Sequence, residues 1–145
     1  MELNTAASVI SFISRIEQES ADFYVKWGNE HQELREDFLS FARDNKKHEK
    51  NVRRAYYSVV SDALETNFCF DGLRADVAVP FLKKDASPSE VLEASIDLEN
   101  SLHAFYSEAA QMSRALFADV PRAMARVAKS RKARGDQLRA MLYTK

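Results

Sequence analysis

Two glutamates, Glu17 and Glu99, sit in matching settings. Each is followed, after five intervening residues, by an aromatic pair, Phe23-Tyr24 after Glu17 and Phe105-Tyr106 after Glu99. A Glu seven residues before a Tyr is two helical turns away, so the two share a face. Four more polar residues interrupt apolar stripes elsewhere: Asn45 and His48 in one stretch, Arg131 and Arg134 in another. Carboxylates and a histidine turned inward can ligate a metal ion. Carboxylates turned towards arginines can instead form internal ion pairs with forked hydrogen bonds. Buried polar groups are costly unless something satisfies them, so these six residues mark where the chemistry lies.

The elements that would position them are helices. Val9, Ile13, Ile16, Ser20, Phe23, Tyr24 and Trp27 recur in steps of three and four, predicting a helix from Asn4 to Trp27 with Gly28 as a left-handed cap and Asn29 capping the next. Leu34, Phe38, Phe41, Val52, Tyr56 and Val59 predict a second helix from Glu30 to Ala63, with Asn45 and His48 completing its stripe. From Leu64 to Ala86 the pattern breaks around Gly72 and Pro80. So apolar a segment is expected to pack on the end or side of the fold, with room for a short helix. Ser87-Pro88-Ser89-Glu90 is a capping box with proline at the first helical position, starting a third helix that runs to Ser113. Asp119 and Pro121 open a fourth, to Tyr143, whose stripe Val120, Met124, Val127, Leu138 and Leu142 is completed by Arg131 and Arg134. Short first and third connections and a long second one predict an all-α, up-down-down-up four-helix bundle with a crossover between helices 2 and 3, a single domain over residues 1–145.

The two halves repeat. Residues 16–24 align with 98–106, and aligning residues 42–45 with 128–131 places Asn45 opposite Arg131 and His48 opposite Arg134. In these residues the chain resembles rubrerythrin and related ferritin-like di-iron proteins. That resemblance implies one Glu ligand from each of helices 1 and 3, here Glu17 and Glu99, and Glu-x-x-His from each of helices 2 and 4. His48 stands at a ligand position, but Asn45, Arg131 and Arg134 stand where Glu, Glu and His are required. Two divalent ions need about four carboxylates. The expectation is a degenerate di-iron site in which Arg131 and Arg134 replace the metal's charge, Asn45 and His48 complete the network, and no cofactor is held. Such a bundle would be a non-catalytic structural or partner-binding protein. The alternative is an iron-binding or peroxide-reducing oxidoreductase with a reduced site of Glu17, His48 and Glu99. Tyr24, Tyr56 and Tyr106 are candidate neighbours of either site. The resemblance also implies a homodimer.

Composition bounds the rest. The 145 residues carry a formal net charge of -1, which gives no global field for nucleic acid. Lys129, Lys132, Arg126, Arg139 and Lys145 are expected to form a solvated face, and His31 and His103 to lie on the surface. Cys69 is the lone cysteine, expected as a small buried hydrophobe, and it excludes a four-cysteine rubredoxin module. No segment reads as a membrane span, and MELNTAAS lacks a basic leader, so the expected location is cytoplasmic.

Overall fold

The computed structural model describes residues 2–58, 69–115 and 119–144. Within them the chain is all-helical apart from one small sheet. Strand β1 spans Glu2–Thr5, helix α1 Ala6–Glu30, α2 Gln32–Ser58, β2 Cys69–Arg74, α3 Pro88–Met112, a 3-10 turn Ser113–Ala115, and α4 Asp119–Tyr143. No described helix is long and apolar enough to cross a membrane.

The stripes become the core. Val9, Ile13, Ile16 and Tyr24 of α1 meet Leu34, Phe38, Phe41 and Val52 of α2, with Leu92, Leu102 and Tyr106 of α3 and Met124 and Leu138 of α4 completing the interior. Edge-on contacts of Tyr24 with Phe38 and Phe41 join α1 to α2, and Phe12 with Phe105 joins α1 to α3. Only His31 separates α1 from α2, so they form an antiparallel hairpin. The chain from α3 to α4 is likewise short, and Glu99 meets Arg131 while His103 meets Ala128, as antiparallel partners do.

Helix starts follow local chemistry. The Ser87–Glu90 capping box forms as read from the sequence, with reciprocal bonds of 3.2 and 3.1 Å. At α1 a second box forms, Thr5 with Ser8, and the helix starts at Ala6, two residues after the expected start at Asn4. The end of α1 differs more. Helix continues through Gly28 to Glu30, and Gly28 serves close packing instead of capping. A Cβ there would lie 3.1 Å from Phe38 Cβ, so glycine lets α2 approach α1. The expected end of α2 at Ala63 and its stripe residue Val59 lie outside the described residues.

Between α2 and α3 the described chain holds a strand and no helix. β1 and β2 pair antiparallel, Leu3 with Leu73 and Thr5 with Cys69, across a bulge. Gly72, at φ +70°, takes the left-handed conformation the bulge needs, and its N–H donates to Asn4 Oδ1. Phe70, Leu73 and Val77 pack on the core, as expected for this apolar segment, but Phe81 is 94% exposed. Strand β2 lies beside the start of α1, whereas Ala86 accepts a hydrogen bond from His31 Nε2 at its far end. The side chain of Cys69 lies outside the described residues.

Candidate functional site: a buried arginine between two glutamates

All six polar residues singled out in the sequence, Glu17 and Glu99 by the repeat and Asn45, His48, Arg131 and Arg134 by their interruption of apolar stripes, are buried. Five of them form one network across the four helices, and its hub is Arg131, from α4 and fully buried. Its Nη1 donates to both oxygens of Glu99, at 2.6 and 2.8 Å, and its Nη2 donates to Glu17 Oε2 at 2.5 Å. The remaining Glu17 oxygen accepts from Tyr106 Oη at 2.6 Å. Every carboxylate oxygen of the pair therefore has a donor. Arg131 Nε is a buried donor with no partner among the described residues.

Arg134, one turn on, makes the second half. Its Nη1 donates to Asn45 Oδ1 at 2.7 Å and lies 3.4 Å from Glu99 Oε1, and its Nη2 donates to the Phe41 carbonyl at 3.2 Å. Its guanidinium also sits over the Phe41 ring at 4.7 Å and the Tyr24 ring at 5.5 Å. Asn45 turns its amide nitrogen the other way, donating to Ser20 Oγ at 2.6 Å and to the Glu17 carbonyl at 3.1 Å. Two carboxylates thus face two guanidinium groups, and the formal charge inside the bundle cancels.

Position in the network decides protonation. Burial disfavours the charge on Arg131, but Glu17 and Glu99 outweigh it and hold its pKa well above the ordinary arginine value. Arg134 is pulled below that value, first by burial and then by Arg131. Tyr106 and Tyr24 are both pushed up, by burial first and then by the nearest carboxylate, Glu17 and Glu99 respectively. Both phenols stay neutral.

The internal repeat holds in space but not in bonding. Tyr106 donates to Glu17, whereas Tyr24, its counterpart, has no partner at hydrogen-bonding geometry for its hydroxyl among the described residues. Arg134 lies beside Tyr24 and against Glu99, so it occupies the side on which Tyr24 would reach Glu99.

His48 departs from the expected arrangement. It does not join the network of Arg134 and Asn45. Its Nε2 pairs with Ser130 Oγ at 3.1 Å, and its Nδ1 has no partner among the described residues. Arg134 spends its donors on Asn45 and on the Phe41 carbonyl, about one turn before Asn45 on α2, whereas His48 lies about one turn after it. Burial, with Arg131 and Arg134 adding to it, pushes the His48 pKa down to about 3, so the ring is neutral. The structure does not gather Glu17, Glu99 and His48 around one point. Among the described residues no three His, Cys, Asp or Glu side chains converge on a common point. The donor set between the two glutamates is a guanidinium, which has no lone pair to offer a cation.

Of the tyrosines, Tyr24 and Tyr106 are fully buried, and Tyr56 is only half-buried at the core's margin. His31 and His103 are not free surface residues. His31 stacks on Trp27 and reaches Ala86, and His103 Nδ1 donates to the Ala128 carbonyl at 2.8 Å. Each is a histidine on a stripe's edge, where ring area can be buried and one nitrogen can find a carbonyl. Ser20, a stripe member by its spacing, is also the bridge between α1 and Asn45. A small polar residue in an apolar stripe opposite an Asn was its signal. No family model, curated protein or solved structure matches this chain.

Proposed function

We propose that the chain is a ferritin-like bundle, resembling rubrerythrin, in which an internal guanidinium takes the place of a di-iron centre, and that it serves as a non-catalytic scaffold or partner-binding protein. The topology supports the ferritin-like part. Hairpins α1–α2 and α3–α4 pack with α1 against α3 and α2 against α4, and both cross-pairs read antiparallel, Tyr24 lying near Glu99 with Glu17 near Tyr106, and Asp37 near Gln137 with His48 near Ser130. That order is up-down-down-up. It requires the α2–α3 connection to travel the bundle's length. A 25-residue helix is about 37 Å long. Residues 75–86 extended can cover about 40 Å, enough to reach from β1 to His31.

The single observation behind the functional reading is Arg131 hydrogen-bonded to Glu17 and Glu99 together. Those are the glutamates the resemblance assigns to metal. With every oxygen already accepting a donor and a fixed positive charge between them, a divalent ion there would face repulsion and would have to displace the guanidinium. The network ties all four helices, through Glu17 and Ser20, Asn45, Glu99 and Tyr106, and the two arginines. Its role is to fix their register, a use for which buried polar groups are suited.

The test is thermal unfolding with and without EDTA, and with added ferrous iron. A bound metal stabilises a fold by mass action. The reading expects a melting temperature indifferent to both. A fall on adding EDTA, reversed by iron, would point instead to an iron-dependent oxidoreductase.

A further inference from the structure

An open groove of about 770 Å³ runs along the outer face between α3 and α4. Arg114, Arg122, Lys129 and Lys132 line it, and no Asp or Glu does. Among the described residues only Lys132 of these four has an ion pair, at 3.6 Å to Asp136. Between the cations lie Ala110, Ala125 and Ala128. Pro121 extends this floor at the start of α4, and Ser107, Gln111 and the half-buried His103 line it on the α3 side. The α4 residues at 122, 125, 129 and 132 recur in helical steps and span about 15 Å, the length of three turns.

We infer that this groove docks an acidic amphipathic helix of a partner protein. Its apolar residues would lie on the alanine floor, and its Asp and Glu flanks would meet Arg114 and Arg122 at one end and Lys129 and Lys132 at the other. Helix-in-groove recognition needs these two parts, an apolar floor and a rim that fixes orientation. A phosphate polymer or nucleic acid would use the cations but has no use for the floor, and the chain's net charge of -1 gives it no wider field. The inference gives a partner class to the partner-binding reading above. It rests on that reading only in taking the role to be binding, since the groove lies outside the Arg131 network and the metal test above leaves it untouched.

The experiment is selection of 16-residue peptides from a random phage-displayed library on the intact chain. Enriched peptides are then measured by fluorescence anisotropy against the natural protein, Arg122→Glu/Lys129→Glu and Ala125→Trp. All three positions are exposed, and melting curves check that both variants fold. The expected peptides carry net negative charge and apolar residues at three- and four-residue spacing. Charge reversal and floor filling each weaken binding at least tenfold, and salt weakens it too. Recovery of no peptide, or of peptides without acidic residues, overturns the inference. So does binding insensitive to Ala125→Trp that tripolyphosphate competes away, which would mean a simple anion patch. A dimer of the natural protein that the charge reversal dissolves would give the groove to a second copy, and also overturns it.

Discussion

Removing Arg131 without removing its partners should be among the most damaging changes the bundle can suffer. Arg131→Met keeps much of the volume and the helix propensity but leaves Glu17 and Glu99 facing each other, both fully enclosed. Arg134, 3.4 Å from Glu99, can offset one carboxylate; Glu17 keeps only the Tyr106 hydroxyl. Breaking a buried pair by deleting one member costs about 3–5 kcal/mol, because a charge is stranded. Domains of this size are stable by about 5–15 kcal/mol, so the loss is a large share of the whole. With a urea dependence of about 2 kcal/mol per molar, the unfolding midpoint should fall by about 2 M, read by circular dichroism. Adding Glu17→Gln removes the stranded charge, keeps an acceptor for Tyr106, and leaves Glu99 with Arg134. Arg131→Met/Glu17→Gln should therefore be more stable than the sum of the two single losses by at least about 1 kcal/mol. An Arg131→Met midpoint within about 0.5 M of the natural protein, or strict additivity in the double variant, would refute the ion-pair account.

Other consequences follow from single contacts. His48 is neutral in the fold, with its pKa down at about 3, and titrates near 6.5 when unfolded. Between those values the unfolded chain binds more protons, so stability is full above about pH 6.5 and falls as the pH drops towards about 3. His48→Gln should flatten that limb by about 3 kcal/mol between pH 6.5 and pH 4, measured as the difference in urea stability from the natural protein; equal slopes would contradict it. Tyr106→Phe removes a donor from Glu17 and should cost about 1.5–3 kcal/mol in chemical denaturation, while Tyr24→Phe, whose hydroxyl lies beside Arg134 but has no partner at hydrogen-bonding geometry among the described residues, should cost clearly less. Gly28→Ala should lower the melting temperature by a few degrees, because crowding of Phe38 at about 1–3 kcal/mol outweighs the helix-propensity gain of about 1 kcal/mol. A rise would mean that α2 can retreat from α1 without loss.

Periodicity carries most of this fold because a helix stripe is a local property. Asn45 and Arg131 could be placed inside it by counting residues, and Glu17 and Glu99 by the repeat around Phe-Tyr. Which donor meets which acceptor is not local. Arg131 takes both glutamates and leaves Arg134 to Asn45, since long side chains one turn apart choose partners by reach and not by spacing. His48 shows the limit most clearly. Its position on the stripe predicts burial correctly, but its partner is Ser130, a residue off every stripe. The β1–β2 pair was invisible because four and six residues carry too weak an alternation, and their partners lie about 70 positions apart. Gly28 reads as a terminator by composition, yet the neighbouring Phe38 gives a packing reason to keep it helical. Phe81 is apolar by type and still exposed, a reminder that composition does not orient an extended segment.

The central claim is that a guanidinium stands where a ferritin-like bundle would hold metal. Elemental analysis of untagged protein tests it most directly, run on the natural chain and on Asn45→Glu/Arg131→Glu/Arg134→His. The account predicts no stoichiometric metal in the natural chain and two divalent ions per chain in the variant. Iron or another divalent metal near stoichiometry in the natural chain would contradict it, whatever the variant holds.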